Sequence, residues 1–339
     1  MLTRHLGANI LINGQDVTRD LSPYLRSITY SDVESGKTDT CEIELHDADK
    51  LFIADYFPHR GDTLEISLTR ENWSGEDIET LPLGTFEIDE VNNSYPPSIC
   101  KLRANSCPQN SALRQVDESK SWENCKLSEV AQDIATQSNC ELVFEATDDP
   151  DIKRAEQSEL SRLAFLEKIC RDNGLALKFA DGKLIIFDEE KLEAQEPVAT
   201  FDRNLSIIKK FSGTATLTDV YKDCKVTYRH GKQAETISAT ATDSTKTDGK
   251  TLKINQRVET QAEAERLAQK KLREKNKDEW KISLTVTGDF RLLSGNVIEL
   301  KNHGVYDGRW LIESARHTLS NGYEVSIECH KCAGDTNAK

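Results

Sequence analysis

Along this chain the hydrophobic and polar positions fall into two textures, one alternating and one helical, and the alternating texture occurs twice. The first copy runs CEIEL from Cys41, GDTLEISL from Gly61, GTFEIDEV from Gly84 and ICKLRA from Ile99. The second runs WKISLTV from Trp280, GNVIELKN from Gly295, GRWLIESA from Gly308 and YEVSIEC from Tyr323. In each copy one Gly opens an alternating strand and a second Gly opens the next, the period-2 signature of half-buried antiparallel sheet. Two related β modules, over Cys41–Ala104 and Trp280–Cys329, suit a molecule that shows a similar face twice. That is a symmetry-matching device more naturally than an active site.

Between the copies the period changes. Leu127, Val130, Ala131 and Ile134 recur at helical spacing, and Cys140 to Glu145 reads as a short strand. A second helix is predicted from about Ser158, with Leu160, Leu163, Ala164, Ile169 and Cys170 inward, ending at Asn173-Gly174, where Gly takes the left-handed C-terminal position. ALKFA and KLIIF flank Asp181-Gly182, a two-residue hairpin signal. These elements predict a mixed α/β unit over Ser121–Asp188. The acidic stretch Asp188–Pro197 reads as a linker, strands resume near Ala199, and Thr236–Lys250 has loop composition. Thr260 and Glu263 form a capping box that opens a charged helix to about Lys275, with Ala264, Leu267, Ala268 and Leu272 on the apolar side. That helix is expected to pack on the outside of the second β module.

Length and charge narrow what the modules serve. At 339 residues the chain has room for two or three domains with real cores. A net charge of -14 argues against a phosphate-neutralising nucleic-acid binder and against attraction to an anionic membrane. No 18-residue apolar run is present and the N-terminus has no signal-peptide core, so the expectation is a soluble, unexported product with no direct membrane anchor. The nine cysteines, odd in number and mostly far apart, suit free thiols of a reducing cytoplasm better than a disulfide framework.

The order of phrases resembles the phage late control D family, the tail hub of contractile phage tails, related to the N-terminal part of VgrG proteins. The matching phrases are G-x-F-x-I-D-E-V at Gly84–Val91, L-S-E-V-A-Q-D-I-A at Leu127–Ala135 and Q-x-x-x-S-x-L-A-F-L at Gln157–Leu166. They continue with D-G-K-L at Asp181–Leu184, T-x-x-E-A-E at Thr260–Glu265, and G-x-W-L-I-E-S followed by H-T-L-S-x-G-Y across Gly308–Tyr323. The chain departs from the family at Leu160, Ser161 and Arg162, where an acidic residue followed by Ser-Asp is frequent, and in the terminal Cys329-His330-Lys331-Cys332. The resemblance implies a mainly β fold with an α+β insert: two similar antiparallel β-barrel modules flanking a small mixed α/β unit. The expected boundaries are 1–118 for the first module, 119–190 for the insert, 191–332 for the second module with its helix, and 333–339 for a flexible tail. It further implies a homotrimeric ring that adapts a six-fold tail tube to a three-fold central spike protein. Its other implied partners are the tape measure protein and neighbouring baseplate proteins, in a virion tail tip assembled in the host cytoplasm. Sequence-specific nucleic-acid binding is not expected, since no helix-turn-helix phrase or basic helix occurs.

Residue types that carry chemistry have a plain use beside each functional one. Cys329 and Cys332 offer two thiolates, but a tetrahedral zinc site takes four ligands and no second CxxC or H-x-x-x-H follows, so no metal or cofactor is expected. The plain use is a final strand ending in a buried Cys, with a frayed polar tail. Glu87, Asp89 and Glu90 on one strand, and Asp148, Asp149 and Asp151 in one loop, are the carboxylates a cell-wall hydrolase would draw on. With 58 Asp and Glu in the chain, solvated faces account for them. No G-x-S-x-G elbow, P-loop or H-E-x-x-H helix occurs. His317 is expected to make a structural hydrogen bond, Trp310 to anchor a core or an interface, and Trp122 to pack beneath the first helix. No catalytic residue is assigned.

Overall fold

The computed structural model describes residues 5–54, 56–73, 78–108, 111–115, 119–204, 208–229, 236–256, 258 and 260–333. The first module contains β1 (His5–Ile12), β2 (Gln15–Asp16), the short helix α1 (Thr18–Leu21), β3 (Leu25–Val33), β4 (Thr40–His46), β5 (Thr63–Glu71), β6 (Ile78–Ser94) and β7 (Ile99–Asn105). The middle unit follows with β8 (Lys120–Lys126), α2 (Leu127–Gln137), β9 (Glu141–Phe144), β10 (Asp151–Gln157), α3 (Arg162–Asp172), β11 (Ala176–Ala180), β12 (Lys183–Phe187) and α4 (Glu189–Glu193). Next come β13 (Ala199–Asp202), β14 (Ile208–Ala215), β15 (Tyr221–Arg229), β16 (Thr236–Thr242), β17 (Lys250–Ile254) and α5 (Gln261–Asn276). The chain closes with β18 (Trp280–Thr287), β19 (Val297–Lys301), β20 (Gly308–Leu319) and β21 (Tyr323–Lys331).

The repeat read from the sequence is a repeat of strand order. The first module pairs as β3-β4-β7-β6-β5-β1, and the second as β14-β18-β21-β20-β19-β13. Irregularities recur too: β6 bulges against β7 between Ile88 and Glu90, and β20 against β21 between Ile312 and Ser314. Gly61 donates its amide to the Ile88 carbonyl at 2.8 Å, as Gly295 does to Ile312 at 2.8 Å. Both glycines have positive φ, 93° and 81°, which is why a Gly opens this strand in each copy.

A single pairing fuses the copies. β20 runs antiparallel to β3 from Ser314↔Val33 to Leu319↔Ile28, giving one 13-stranded sheet. The mainly β class with an α/β unit between like modules therefore stands. Among the described residues, however, the pairings close neither module into a barrel of its own. One apolar cluster fills both halves, from Ile10 and Ile28 through Leu102 to Trp310 and Cys329, so the β20–β3 seam lies within the core.

The middle unit has a separate core, including Leu127, Val130, Ile134, Leu166, Leu184 and Ile186, which reaches back to Cys107 and Leu113. Asp181 and Gly182 both have positive φ, 50° and 74°, as the two-residue turn between β11 and β12 requires. Helix α3 starts later than Ser158. Glu159 sits at φ 56° and breaks the run, and Ser161 caps the helix by accepting the Ala164 amide hydrogen at 3.3 Å. Leu160 thus packs on the core from outside the helix.

Two expectations fail downstream. Thr236–Thr242 is strand β16, because Ile237, Ala239 and Ala241 alternate with Thr and Ser and turn inward. Helix α5 does not cover the second module: Ala264, Leu267, Ala268 and Leu272 pack with Cys224, Val226 and Ala239 on the three-stranded sheet β16-β15-β17. An apolar stripe fixes the face a helix buries but not which sheet receives it. Among the described residues no helix is long and apolar enough to cross a membrane.

Candidate functional site

The candidate carboxylates do not converge on one site: Asp148, Asp149 and Asp151 line an open cavity between the middle unit and α5, whereas Glu87, Asp89 and Glu90 lie apart from it on β6. Asp149 accepts hydrogen bonds from the Ser128 amide and hydroxyl at 3.0 and 2.6 Å, so it caps the first turn of α2. Asp151 pairs with Lys126 at 2.8 Å, and Asp148 is exposed. On β6, Asp89 accepts from the Asn105 side chain at 2.9 Å, Glu87 is half-buried and Glu90 faces solvent. Among the described residues no group of three or more His, Cys, Asp or Glu is placed to hold a metal. Cys329 lies in the main apolar core, while Cys332 packs with Val297, Leu311 and Leu192. Burial raises the Cys329 thiol well above its ordinary value.

The aromatic and histidine candidates serve packing. Trp310 is fully buried, with its indole N–H donated to the Tyr306 carbonyl at 3.0 Å. Trp122 stacks on Phe165 at 5.2 Å and donates to Asp133 of α2 at 2.8 Å. His317 has Nδ1 2.6 Å from the Tyr323 hydroxyl and Nε2 2.9 Å from the Leu292 carbonyl. Burial lowers its pKa, so the neutral ring donates from Nε2 and accepts at Nδ1.

What the structure does bring together are buried charges, at two joints. At the first, Lys178 of β11 reaches into the sheet. Its ammonium donates to Asp32 at 2.5 Å and to the Ser294 hydroxyl at 3.0 Å, and lies 3.6 Å from Asp39. Asp32 also accepts the Ser294 amide at 2.6 Å. One cation thus ties the middle unit to both β modules. Burial alone would favour neutral Lys178, but Asp32 and Asp39 hold its pKa above the usual range. Burial lifts Asp39 to about 6, against the pull of Lys178.

The second joint lies where the linker was expected. Helix α4 presents Glu193, only 7% exposed, to His330 of β21. His330 Nε2 is 3.1 Å from Glu193 and Nδ1 3.0 Å from Glu313, an arrangement in which both ring nitrogens donate only as imidazolium. Burial opposes that charge, but the two carboxylates overcome it and raise His330 to about 9. Burial would likewise raise Glu313, yet its hydrogen bond to His330 holds it at about 2. Glu193 further accepts from Arg273 at 2.7 Å and from the Ala333 amide at 2.8 Å. Glu313 is the bulge residue of β20, the kind of position where a bulge re-aims a side chain. Nearby Glu34 is buried, with Oε1 unpartnered, and is pushed to about 8 by burial and by the charge of Glu189.

The linker expected over Asp188–Pro197 is therefore corrected: Glu189–Glu193 is helix α4, whose Glu193 is buried. Glu193 and His330 are buried partners, and Lys331 lies over the rings of Trp280 and Trp310 at 5.4 and 5.9 Å. Residues 334–339 lie outside the described residues. The joints escaped sequence reasoning because a charged residue at an alternating position reads as solvent-facing. The one available signal was an unusual His inside the final strand pattern.

Seven of the nine free cysteines are buried, and Cys125 and Cys140 are half-buried. Native protein treated with a thiol reagent is expected to show slow reaction at those two, and reaction at all nine after denaturation. Rapid native labelling of most thiols would contradict this packing.

A repeat of two open β modules fused into one sheet, with buried charges clamping the α/β unit across the seam, defines a mainly β scaffold. Known proteins agree. A family described as phage tail baseplate hub (GPD) matches residues 98–323, and the chain belongs to that family. A probable baseplate hub protein of Escherichia phage 186 is 28% identical over 177 residues, which are 52% of this chain and 43% of that relative's own length. A tail protein from Neisseria meningitidis MC58 superposes with TM-score 0.72 at 14% identity, covering 96% of each chain. A type VI secretion component of E. coli, itself described as similar to T4 bacteriophage tail proteins gp27 and gp5, superposes with TM-score 0.59 at 10% identity. It matches over 92% of this chain and 74% of its own. At such identities the two structures speak for the fold alone.

Proposed function

We propose that this chain is a structural hub of a contractile tail or related injection device. Three copies form a closed ring that adapts a six-fold tail tube to a three-fold central spike protein. The tape measure protein and neighbouring baseplate proteins are its further contacts, and its place is the tail tip of a particle assembled in the host cytoplasm. The role is mechanical, with no catalytic group.

The observation that carries this reading is the same strand order, β3-β4-β7-β6-β5-β1 and β14-β18-β21-β20-β19-β13, twice in one continuous sheet. Three such chains present six like modules, which is what matching three-fold to six-fold symmetry demands. Rigidity supports it as well. The clamps at Lys178 and His330 fix the units with charges that cannot leave the interior cheaply. Light scattering of the hub mixed with a candidate central spike protein is expected to report three copies of each. A stable dimer or hexamer under those conditions would overturn the reading.

A further inference from the structure

Helix α5 and the middle unit do not close on each other. The open cavity between them measures about 900 Å³, and along it Ile152, Phe165 and Ile169 of the middle unit's core meet Leu267 of the α5 core. Six consecutive residues of β10, Asp151 to Glu156, line this space. Successive side chains of a strand point to opposite faces, so a cavity that touches six in a row meets the strand edge-on. That edge is open. Among the described residues β10 pairs only with β8, from Asp151↔Lys126 to Gln157↔Lys120. An open edge offers a row of backbone N–H and C=O groups, a template on which an extended segment adds as a further strand.

The facing helices decide which segment fits. Lys168 of α3 and Arg266 and Lys270 of α5 line the same cavity, and among the described residues none of the three forms a salt bridge. In a chain with 58 Asp and Glu to 44 Lys and Arg, cations left without a carboxylate are the unusual state. Lys270 donates to the Asn173 carbonyl, and burial lowers its pKa despite the acids at longer range. Of the acids in the lining, Asp149 caps α2, while Asp151, Glu156 and Asp172 are paired with Lys126, Arg154 and Lys271. Glu263 stands in the first turn of α5, where the helix N-terminus attracts it, and Glu123 and Asp148 are exposed. The surplus of positive charge extends beyond the cavity. Residues 216–276, from the end of β14 to the end of α5, hold 13 Lys and Arg against 9 Asp and Glu, in a chain of net charge -14.

We infer that this groove takes an extended, acidic segment of a partner protein, which adds to β10 as a third strand and turns its carboxylates toward Lys168, Arg266 and Lys270. The edge of β10 has room for about six residues, a run of roughly 20 Å. The groove lies within one chain, so the inference stands or falls apart from the three-copy reading.

The test uses the full chain and two fluorescein-labelled heptapeptides, one alternating glutamate with valine and the other lysine with valine. Fluorescence anisotropy reads the binding. The acidic peptide is expected to bind about tenfold tighter than the basic one. Lys168 and Arg266 are exposed, so Lys168→Glu with Arg266→Glu leaves the core intact, and this double variant is expected to reverse the preference. The acidic peptide methylated on every backbone nitrogen keeps its charge but cannot donate to a strand edge, and is expected to lose about tenfold in affinity. Equal binding of the two unmethylated peptides, or of neither, overturns the proposal. A methylated peptide that binds as well as its parent overturns the strand addition. Binding that falls as the protein concentration rises would assign the groove to a second copy, and overturns the proposal as well.

Discussion

Glu193→Ala is expected to destabilise the protein by about 3–5 kcal/mol, because it strips the buried His330 imidazolium and Arg273 of a shared carboxylate. Truncation also leaves the Ala333 amide without its acceptor. Denaturant titration of wild type and variant measures the loss, and a difference under about 1 kcal/mol would show that the joint adds little. The same joint makes stability depend on pH in a defined direction. His330 holds its proton to about 9 in the folded state against an ordinary 6.5, so its contribution is complete below pH 6.5 and is lost as pH rises through 9. Glu34, raised from 4.5 to about 8, contributes fully below pH 4.5 and loses its contribution as pH rises through 8. Glu313, depressed from 4.5 to about 2, acts on the other flank: its contribution is present above pH 4.5 and lost as pH falls through 2. Between neutral pH and about 9 the first two losses coincide. The thermal midpoint is expected to fall across that range, and Glu34→Gln to flatten the decline. A midpoint that rises with pH over the same interval would refute the assignment.

Lys178→Met is expected to cost a similar amount, about 3–5 kcal/mol, since it leaves Asp32 and Asp39 facing each other in a buried site with no cation between them. The damage is specific to charge. Adding Asp32→Asn to Lys178→Met removes one of the stranded carboxylates and is expected to return part of the loss, whereas two independent packing defects would simply add. Acidification is expected to narrow the gap between variant and wild type, because Asp39 already lies at about 6 and is neutralised more readily without Lys178. A double variant worse than the sum of the single ones would sink this account. Trypsin sensitivity of the middle unit supplies a second readout, as Lys178 is its cationic tie to the sheet.

Much of the local structure was legible because its causes are local. Gly61, Gly295 and Gly308 mark positive-φ strand openings, whereas Gly84, also at positive φ, sits at a register shift inside β6 and does not open it; alternation around them reflects the fixed period of a pleated strand. Asp181-Gly182 announces its turn and Thr260 its helix, since one side chain and a few backbone groups decide each. Where the reading failed, composition misled. Thr and Ser between Ile237 and Ala241 look like loop residues, although strands on a small sheet accept them, and the acidic run at Glu189–Glu193 looks like a solvated linker. The candidate site suffered most: Cys329 and Cys332 drew attention as thiols, while His330 between them carries the buried charge.

By itself, then, the sequence determined the two like β modules, the α/β unit between them, the caps and turns, and the family. Each follows from periodicity and short-range chemistry within a few residues. Only the tertiary structure decided that β20 pairs with β3, that α5 covers the β16-β15-β17 sheet, and that Lys178 meets Asp32 and His330 meets Glu193. Those partners stand 146 and 137 residues apart. A charged side chain carries no mark of its partner along the chain, and whether it faces water or an opposite charge is settled by which surfaces the folded backbone presses together.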